Sequence, residues 1–162
     1  MKIRNIERRD FENVFKLVTE VFENTPTAFN FNEIPEIETF RILFENKLMM
    51  LSECGSVDLI AEENGRILAN CEIVRIDKNT GILGIVVSFD SRRNGIGSAL
   101  LKKALLAAGK SGITRILAEV SSGNGIGIGF LEKNGFQEEK SAQTGHNDSD
   151  FPLKKLTFIK II

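Results

Sequence analysis

The sequence predicts a single α/β domain, of the α+β kind, in which a mixed sheet carries helices on both faces. Three observations lead there. Hydrophobic spacing is helical at first, changes to strand type at Val57 and then alternates between the two. One run, Ile82 to Phe89, is apolar almost without interruption. The length of 162 residues, 42% of them hydrophobic, suffices to bury one sizeable core and is short for two ordinary domains. One domain spanning residues 1–162 is the expectation.

Taken in order, Ile3 to Ile6 reads as a short strand. Asp10 is placed to cap a helix in which Phe11, Val14, Phe15, Val18 and Phe22 recur at helical spacing. Asn24 to Asn32 is a loop carrying Pro26 and two large apolar groups, Phe29 and Phe31, which either fill core or line a pocket. Pro35 opens a second helix, with Ile37, Phe40, Ile42, Leu43, Phe44 and Leu48 as its apolar side and an end near Met50. Val57 to Glu62 and Arg66 to Ile76 form a hairpin about Glu63-Asn64-Gly65. After a turn at Lys78 to Gly81, the apolar run Ile82 to Phe89 is expected to be a central strand covered on both faces. Gly95 to Gly109 is an amphipathic helix closed by Gly112, Thr114 to Val120 a strand, and Gly125 to Asn134 a short helix rich in glycine. Phe136 to Glu139 begins another strand, and Ser141 to Asp150 is a polar loop. Leu153 to Ile162 is the terminal strand, whose lysines suit an edge and leave a homodimer possible.

Charge narrows the function. A net charge of −1 and a pI near 6.0 argue against a broad basic surface for nucleic acid or anionic membrane, so any anion site must be local. Cys54 and Cys71 lack metal-ligand spacing and have only His146 to help them, which points to a reduced, metal-free protein. The stretch Met1 to Asp10 carries charge from the start and no apolar run approaches the roughly 18 residues of a membrane span. A cytoplasmic location is expected, with neither nucleic acid nor membrane as a partner.

One segment has the chemistry of a local anion site. Ser91-Arg92-Arg93-Asn94-Gly95-Ile96-Gly97-Ser98 lies between a buried strand and the start of a helix. A turn there aims unpaired N–H groups and the positive helix end at one point, where phosphate binds well. Gly95 and Gly97, lacking Cβ, would let a diphosphate approach the backbone, and Arg92 and Arg93 would add charge. Other phosphate motifs fail. A dinucleotide fingerprint needs glycine where Leu100 stands, and a P-loop ending at Gly109-Lys110-Ser111 needs glycine at Ala104.

Ile85-Val86-Val87, followed by Arg92-x-x-Gly95-x-Gly97-Ser98-Ala99-Leu100-Leu101, resembles the signature of GNAT (Gcn5-related N-acetyltransferase) proteins, in which R/Q-x-x-G-x-G/A holds the coenzyme A pyrophosphate. Leu117-Ala118-Glu119-Val120, then Asn124, Gly127, Phe130, Glu132-Lys133 and Gly135-Phe136, is similar to the second half of that signature, with the spacing intact. The resemblance implies a mostly antiparallel twisted sheet of about seven strands. It also implies that the strand ending at Val87 splays from Arg115–Val120 to open a cleft for the thioester of acetyl-CoA. Backbone groups of Ile85, Val86 and Val87 would pair with the pantetheine arm. The N–H groups of Arg93, Asn94, Gly95, Ile96, Gly97 and Ser98 would hold the diphosphate, with Arg92, Asn124, Gly127 and Phe130 completing the coenzyme site.

Two departures stand out. The family's tyrosine, which protonates the departing thiolate, is Leu131 here in a chain with no tyrosine at all, and its usual proline is Phe89. Coenzyme A thiolate is already a moderate leaving group, so losing the acid lowers the rate, by about 10² to 10⁴, without abolishing transfer. Glu119 matches the catalytic glutamate of ribosomal-protein N-acetyltransferases and is the expected base, with Glu72 on the neighbouring strand in reserve. A strand glutamate facing solvent is the plainer alternative for Glu119. Gly125, Gly127 and Gly129, each costing a helix about 1 kcal/mol, reflect either coenzyme approach or tight helix packing. His146, Asp148 and Asp150 are candidates for attracting an amine, or a solvated loop.

The expected function is acetyl transfer from acetyl-CoA to a primary amine, on a small molecule or a peptide, by direct attack. The oxyanion would be held by the Val86–Val87 amides. A non-catalytic acyl-CoA-binding module, or an acyltransferase using another acyl chain or a hydroxyl acceptor, fits the same residues.

Overall fold

A computed structural model of the chain describes residues 1–29, 33–139 and 154–162. Phe31, and the loop from Ser141 with His146, Asp148 and Asp150, lie outside the described residues. The elements run β1 (Lys2–Asn5), α1 (Phe11–Asn24), α2 (Ile37–Cys54), β2 (Val57–Glu63), β3 (Arg66–Arg75) and β4 (Thr80–Val87). They continue with α3 (Ile96–Lys110), β5 (Arg115–Ser121), α4 (Gly125–Lys133), β6 (Gln137–Glu138) and β7 (Lys155–Ile161). The strands form one sheet in the order β1-β2-β3-β4-β5-β7-β6, antiparallel except for β4 against β5.

Two clusters of buried side chains, one on each face, make this a three-layer domain. On one face α3 and α4 cover Cys71, Ile73, Leu83, Ile116 and Ala118, and Leu100 and Ala104 are fully buried there. On the other, α1 buries Val14, Leu17, Val18 and Val21 against Ile60 and Ile67. The α1 stripe is therefore 14-17-18-21. Phe15 and Phe22, expected in the core, are half-buried because they lie at its margin.

The β2–β3 hairpin closes on Asn64 (φ 51°) and Gly65 (φ 78°), both left-handed, as a tight turn matched to strand twist requires. Three expectations need correcting. β4 stops at Val87, and Phe89 sits 52% exposed in a 3₁₀ turn, Phe89–Ser91. β7 is not an edge, because it lies between β5 and the two-residue β6, and β1 and β6 form the sheet's edges among the described residues. Helix α2 runs past Met50 to Cys54, where Gly55 (φ 68°) ends it.

Helix α2 also buries less than its composition suggests. Ile42 and Leu43 are 63% and 56% exposed, and Phe44 is its only fully buried residue. Its inward stripe is Phe40, Phe44, Lys47, Leu51, with i, i+4, i+7, i+11 spacing. Phe40 and Phe44 join Phe11 and Phe15 in an aromatic group with centroids 5.1–6.3 Å apart. The third member of the stripe is charged, and its destination is part of the site.

Candidate active site

The ladder between β4 and β5 pairs Thr80 with Arg115 and ends at Leu83 with Ala118, although β4 continues to Val87 and β5 to Ser121. The sheet is forked there, and the strand expected to be covered on both faces is only half-buried from Gly84 to Val87. The register says which backbone groups face the gap. Ile76 N donates to Thr80 O and Ser88 N donates to Leu68 O, so Thr80, Ile82, Gly84, Val86 and Ser88 all turn their amides toward β3. Ile85 and Val87 turn theirs into the fork. Val86, expected to share in this ladder, instead packs its side chain on the α1 face.

The fork leads to the turn before α3. Gly95 has φ 79° and Arg93 φ 63°, two left-handed residues that swing the chain into the helix. The Gly95 carbonyl accepts the first helical bond, from Ala99 N, and no side chain caps this end. The N–H groups of Ile96, Gly97 and Ser98 consequently have no partner among the described residues, beside the positive end of a 15-residue helix. The two glycines differ in purpose. Gly95 needs its backbone angle and has open space where a Cβ would be, whereas a Cβ on Gly97 would stand 3.2 Å from both Phe130 and Val87 side chains. Gly97 seats α3 against α4 and β4. Gly95 leaves the backbone before α3 uncovered among the described residues.

Arg92 is directed inward. Its Nε donates to Val87 O at 3.2 Å, its Nη1 donates to Thr25 Oγ1 at 3.0 Å, and the guanidinium lies over the Phe89 ring. It ties the end of α1 to the end of β4, as does Glu20, which accepts from Ser88 Oγ and Phe89 N. Arg93 and Asn94 are exposed beside the cradle. Asn124 caps α4, its Oδ1 accepting from Gly127 N at 2.9 Å, and a Cβ on Gly127 would meet that same side chain. Among the described residues nothing stands within 4 Å of where a Cβ on Gly125 or Gly129 would be, so packing against those residues does not account for either.

A cavity of about 440 Å³ runs through the fork, from the α1 and α2 face to α4 on the other. Val14, Val18, Phe29, Phe40 and Phe44 form one wall, and Ile85, Val86, Asn124, Gly127, Phe130 and Leu131 another. Both candidate carboxylates reach it. Asp58 pairs with Glu72 across β2 and β3, Glu72 pairs with Gly84 across β3 and β4, and Glu119 is the first β5 residue past the fork. Cross-strand partners share a face, so the three acids form one row over the sheet, interrupted only by a glycine. Glu119 Oε2 accepts from Lys155 Nζ at 3.0 Å, and its side chain is 39% exposed.

Lys47 descends from α2 onto the other end of that row. Its Nζ lies 2.6 Å from Glu72 Oε2 and 2.5 Å from Asp58 Oδ2, and Asn70 Nδ2 donates to Asp58 Oδ1 and to Leu59 O. Burial pushes the Asp58 carboxyl up to about 6 despite the Lys47 ammonium, with the Glu72 charge adding to the rise. Burial also works against the charge on Lys47, but Glu72 and Asp58 outweigh it and hold its ammonium above the usual lysine range. Sequence reasoning missed Lys47, Asp58 and Asn70. Their signal was a polar residue on an apolar stripe, Lys47 among Phe40, Phe44 and Leu51, and Asp58 and Asn70 within strands otherwise apolar.

Comparison with known proteins agrees with this geometry. A family model described as the acetyltransferase (GNAT) family matches residues 4–136. No curated protein matches. Among solved structures, a ribosomal-protein-alanine N-acetyltransferase from Brucella melitensis superposes with a TM-score of 0.82 at 22% identity, covering 100% of both chains. YncA from Salmonella typhimurium, with its cofactor acetyl-CoA, gives 0.79 at 17% identity, over 99% of this chain and 92% of that one. PaiA N-acetyltransferase from Thermoplasma acidophilum, in complex with coenzyme A, gives 0.77 at 20% identity, over 99% and 98%. With a family model spanning most of its length and the forked sheet of that fold, the chain belongs to the acetyltransferase (GNAT) family.

Proposed function

We propose that the protein transfers the acetyl group of acetyl-CoA to a primary amine by direct attack. The observation that carries this reading is continuity: an amide cradle at Ile96–Ser98, unpartnered among the described residues, outward-facing amides at Ile85 and Val87, and a cavity containing Glu119 follow one another along a single fork. The cradle suits the diphosphate, and the Val87 amide, next to it on β4, suits a pantetheine amide as an added strand would. Bound acetyl-CoA supplies the activated acyl carbon, as a thioester. The protein's own groups do the rest. Glu119, at the mouth of the fork, takes the proton that the amine must shed as its nitrogen bonds to the acyl carbon and the carbon–sulfur bond breaks. Lys155 Nζ, 3.0 Å from Oε2 of that carboxylate, fixes its position at the edge of the fork. The Ile85 N–H, turned into the fork one residue beyond the level of Glu119, is the donor available to the carbonyl oxygen.

Calorimetric titration with acetyl-CoA, followed by a thiol-release assay over a panel of amines, tests the proposal. Binding with turnover that Glu119→Gln lowers by about 10² or more, at unchanged acetyl-CoA affinity, is the expected result. A second reading has its own observation. Leu131 stands 5% exposed in the cavity wall where a proton donor is expected, and no hydroxyl side chain lines that cavity among the described residues. Tight binding of acetyl-CoA with no turnover on any amine would establish a non-catalytic acyl-CoA-binding module instead.

A further inference from the structure

The acceptor arm of the cavity has a charge pattern that the transfer reaction does not use. Glu72 is the member of the acid row nearest the fork on the β3 side, and its carboxylate lies over Gly84, whose missing side chain leaves it room. Lys47 is the only cation lining the cavity among the described residues, and both Asp58 and Glu72 already hold it within 2.6 Å. Two carboxylates and one ammonium leave this end of the cavity one negative charge in excess. The opposite wall, Val14, Val18, Phe40 and Phe44, is apolar and offers no polar side-chain group.

We propose that the acceptor is a primary amine carried on an uncharged apolar or aromatic body, and that Glu72 is the residue that receives its ammonium group. The inference deepens the acetyltransferase reading and rests on it. A single surplus charge matches one ammonium. An α-amino acid would bring a carboxylate into an acidic arm whose one cation is committed, and a polyamine would bring further ammonium groups against phenylalanine and valine. Burying either without a partner carries a desolvation penalty large enough to discriminate strongly. Glu72 thus acts as a specificity residue, distinct from Glu119, which takes the proton.

The test uses the full chain saturated with coenzyme A and three probes: phenethylamine, L-phenylalanine, which adds only a carboxylate, and spermidine, which adds charge and removes the ring. Calorimetry should show phenethylamine binding at least about tenfold tighter than the other two, with the same order in kcat/KM for thiol release from acetyl-CoA. Glu72→Gln should raise KM for phenethylamine about tenfold while changing kcat less and leaving acetyl-CoA affinity intact. Because Asp58 still holds Lys47, this variant keeps the contact between α2 and the sheet. Gly84→Ala, which displaces the carboxylate without removing its charge, should shift KM in the same direction. Equal or better use of phenylalanine or spermidine overturns the inference, as does a phenethylamine KM unmoved by Glu72→Gln. No amine binding to the coenzyme-loaded protein also overturns it, whereas failure to bind acetyl-CoA at all overturns the acetyltransferase reading instead.

Discussion

Glu72 and Gly84 are cross-strand partners, and a Cβ on Gly84 would stand 2.8 Å from Glu72 Oε1 and 3.0 Å from its Cγ. Glycine at this position is therefore what lets the carboxylate lie across β4 toward the fork. In Gly84→Ala the flexible glutamate must move, so stability should fall by no more than about 1 kcal/mol. Its distance of 2.6 Å to Lys47 cannot survive that move unchanged, and catalytic efficiency should drop more than the melting temperature suggests. Thermal melts and kcat/KM on the same preparation check this, and a large loss of stability with intact kinetics would contradict it.

The glycines of the cradle should fail in different ways. Gly95→Ala meets no neighbour but must hold φ 79°, at about 1–2 kcal/mol, and the strain is relieved by reshaping the turn that presents the N–H groups. Affinity for acetyl-CoA should weaken about tenfold or more with a modest fall in melting temperature. Gly97→Ala presses on Phe130 and Val87 at 3.2 Å, so here the melting temperature should fall most. Titration calorimetry alongside thermal melts separates the two patterns.

Much of this arrangement was open to reading from residues alone because it is local. The Asn64-Gly65 hairpin, the strand-to-helix turn at Gly95 and the periodicity of α3 depend on neighbours in sequence. The fork itself does not: it is set by where the β4–β5 ladder stops, between segments 35 residues apart in register, such as Leu83 and Ala118. Nor could spacing reveal that Asp58, Glu72 and Glu119 share one row, since that follows from how three strands are aligned. The missing side chain of Gly97 was expected to open room for phosphate, whereas the space it leaves is taken by Phe130 and Val87, contacts that spacing cannot show. β7 looked like an edge because of its lysines. Yet Lys155 pairs with Glu119, and Lys160 Nζ donates to Asn134 O, so both are spent on neighbours within the fold.

Restoring a proton donor should speed the reaction if leaving-group protonation limits it. Leu131 lines the cavity from α4, and a tyrosine there would carry its hydroxyl toward the fork from the position the family uses. Leu131→Tyr should raise kcat about tenfold or more, short of the full 10² to 10⁴ because the pocket was shaped around leucine. A pH profile is the sharper readout: a new limb at alkaline pH, absent from the parent, would mark the phenol as the acid. An increase in kcat with an unchanged profile would count against that role.

Asp58 gives the fold a pH dependence of unusual sign. Its ordinary value is 3.8, and burial lifts it to about 6 in the folded chain, the Lys47 ammonium offsetting only part of that rise. Between those values the native state binds the extra proton, so this group's contribution to stability is complete below pH 3.8 and is lost as pH rises through about 6. Asp58→Asn removes that loss. Lys47 is not left unpaired by the change, because Glu72 remains 2.6 Å away. Relative to the parent, the variant should therefore gain stability from pH 4 to pH 7, by on the order of 2–3 kcal/mol at about 1.4 kcal/mol per pH unit. Arg4, Asp10, Glu20 and Glu62 titrate alike in both proteins and cancel in the difference. Urea denaturation of the pair at pH 4, 5, 6 and 7 measures it directly. A difference that instead moves against Asp58→Asn as pH rises would mean that the Lys47 ion pair outweighs burial, and that the charged carboxylate is the form the fold prefers.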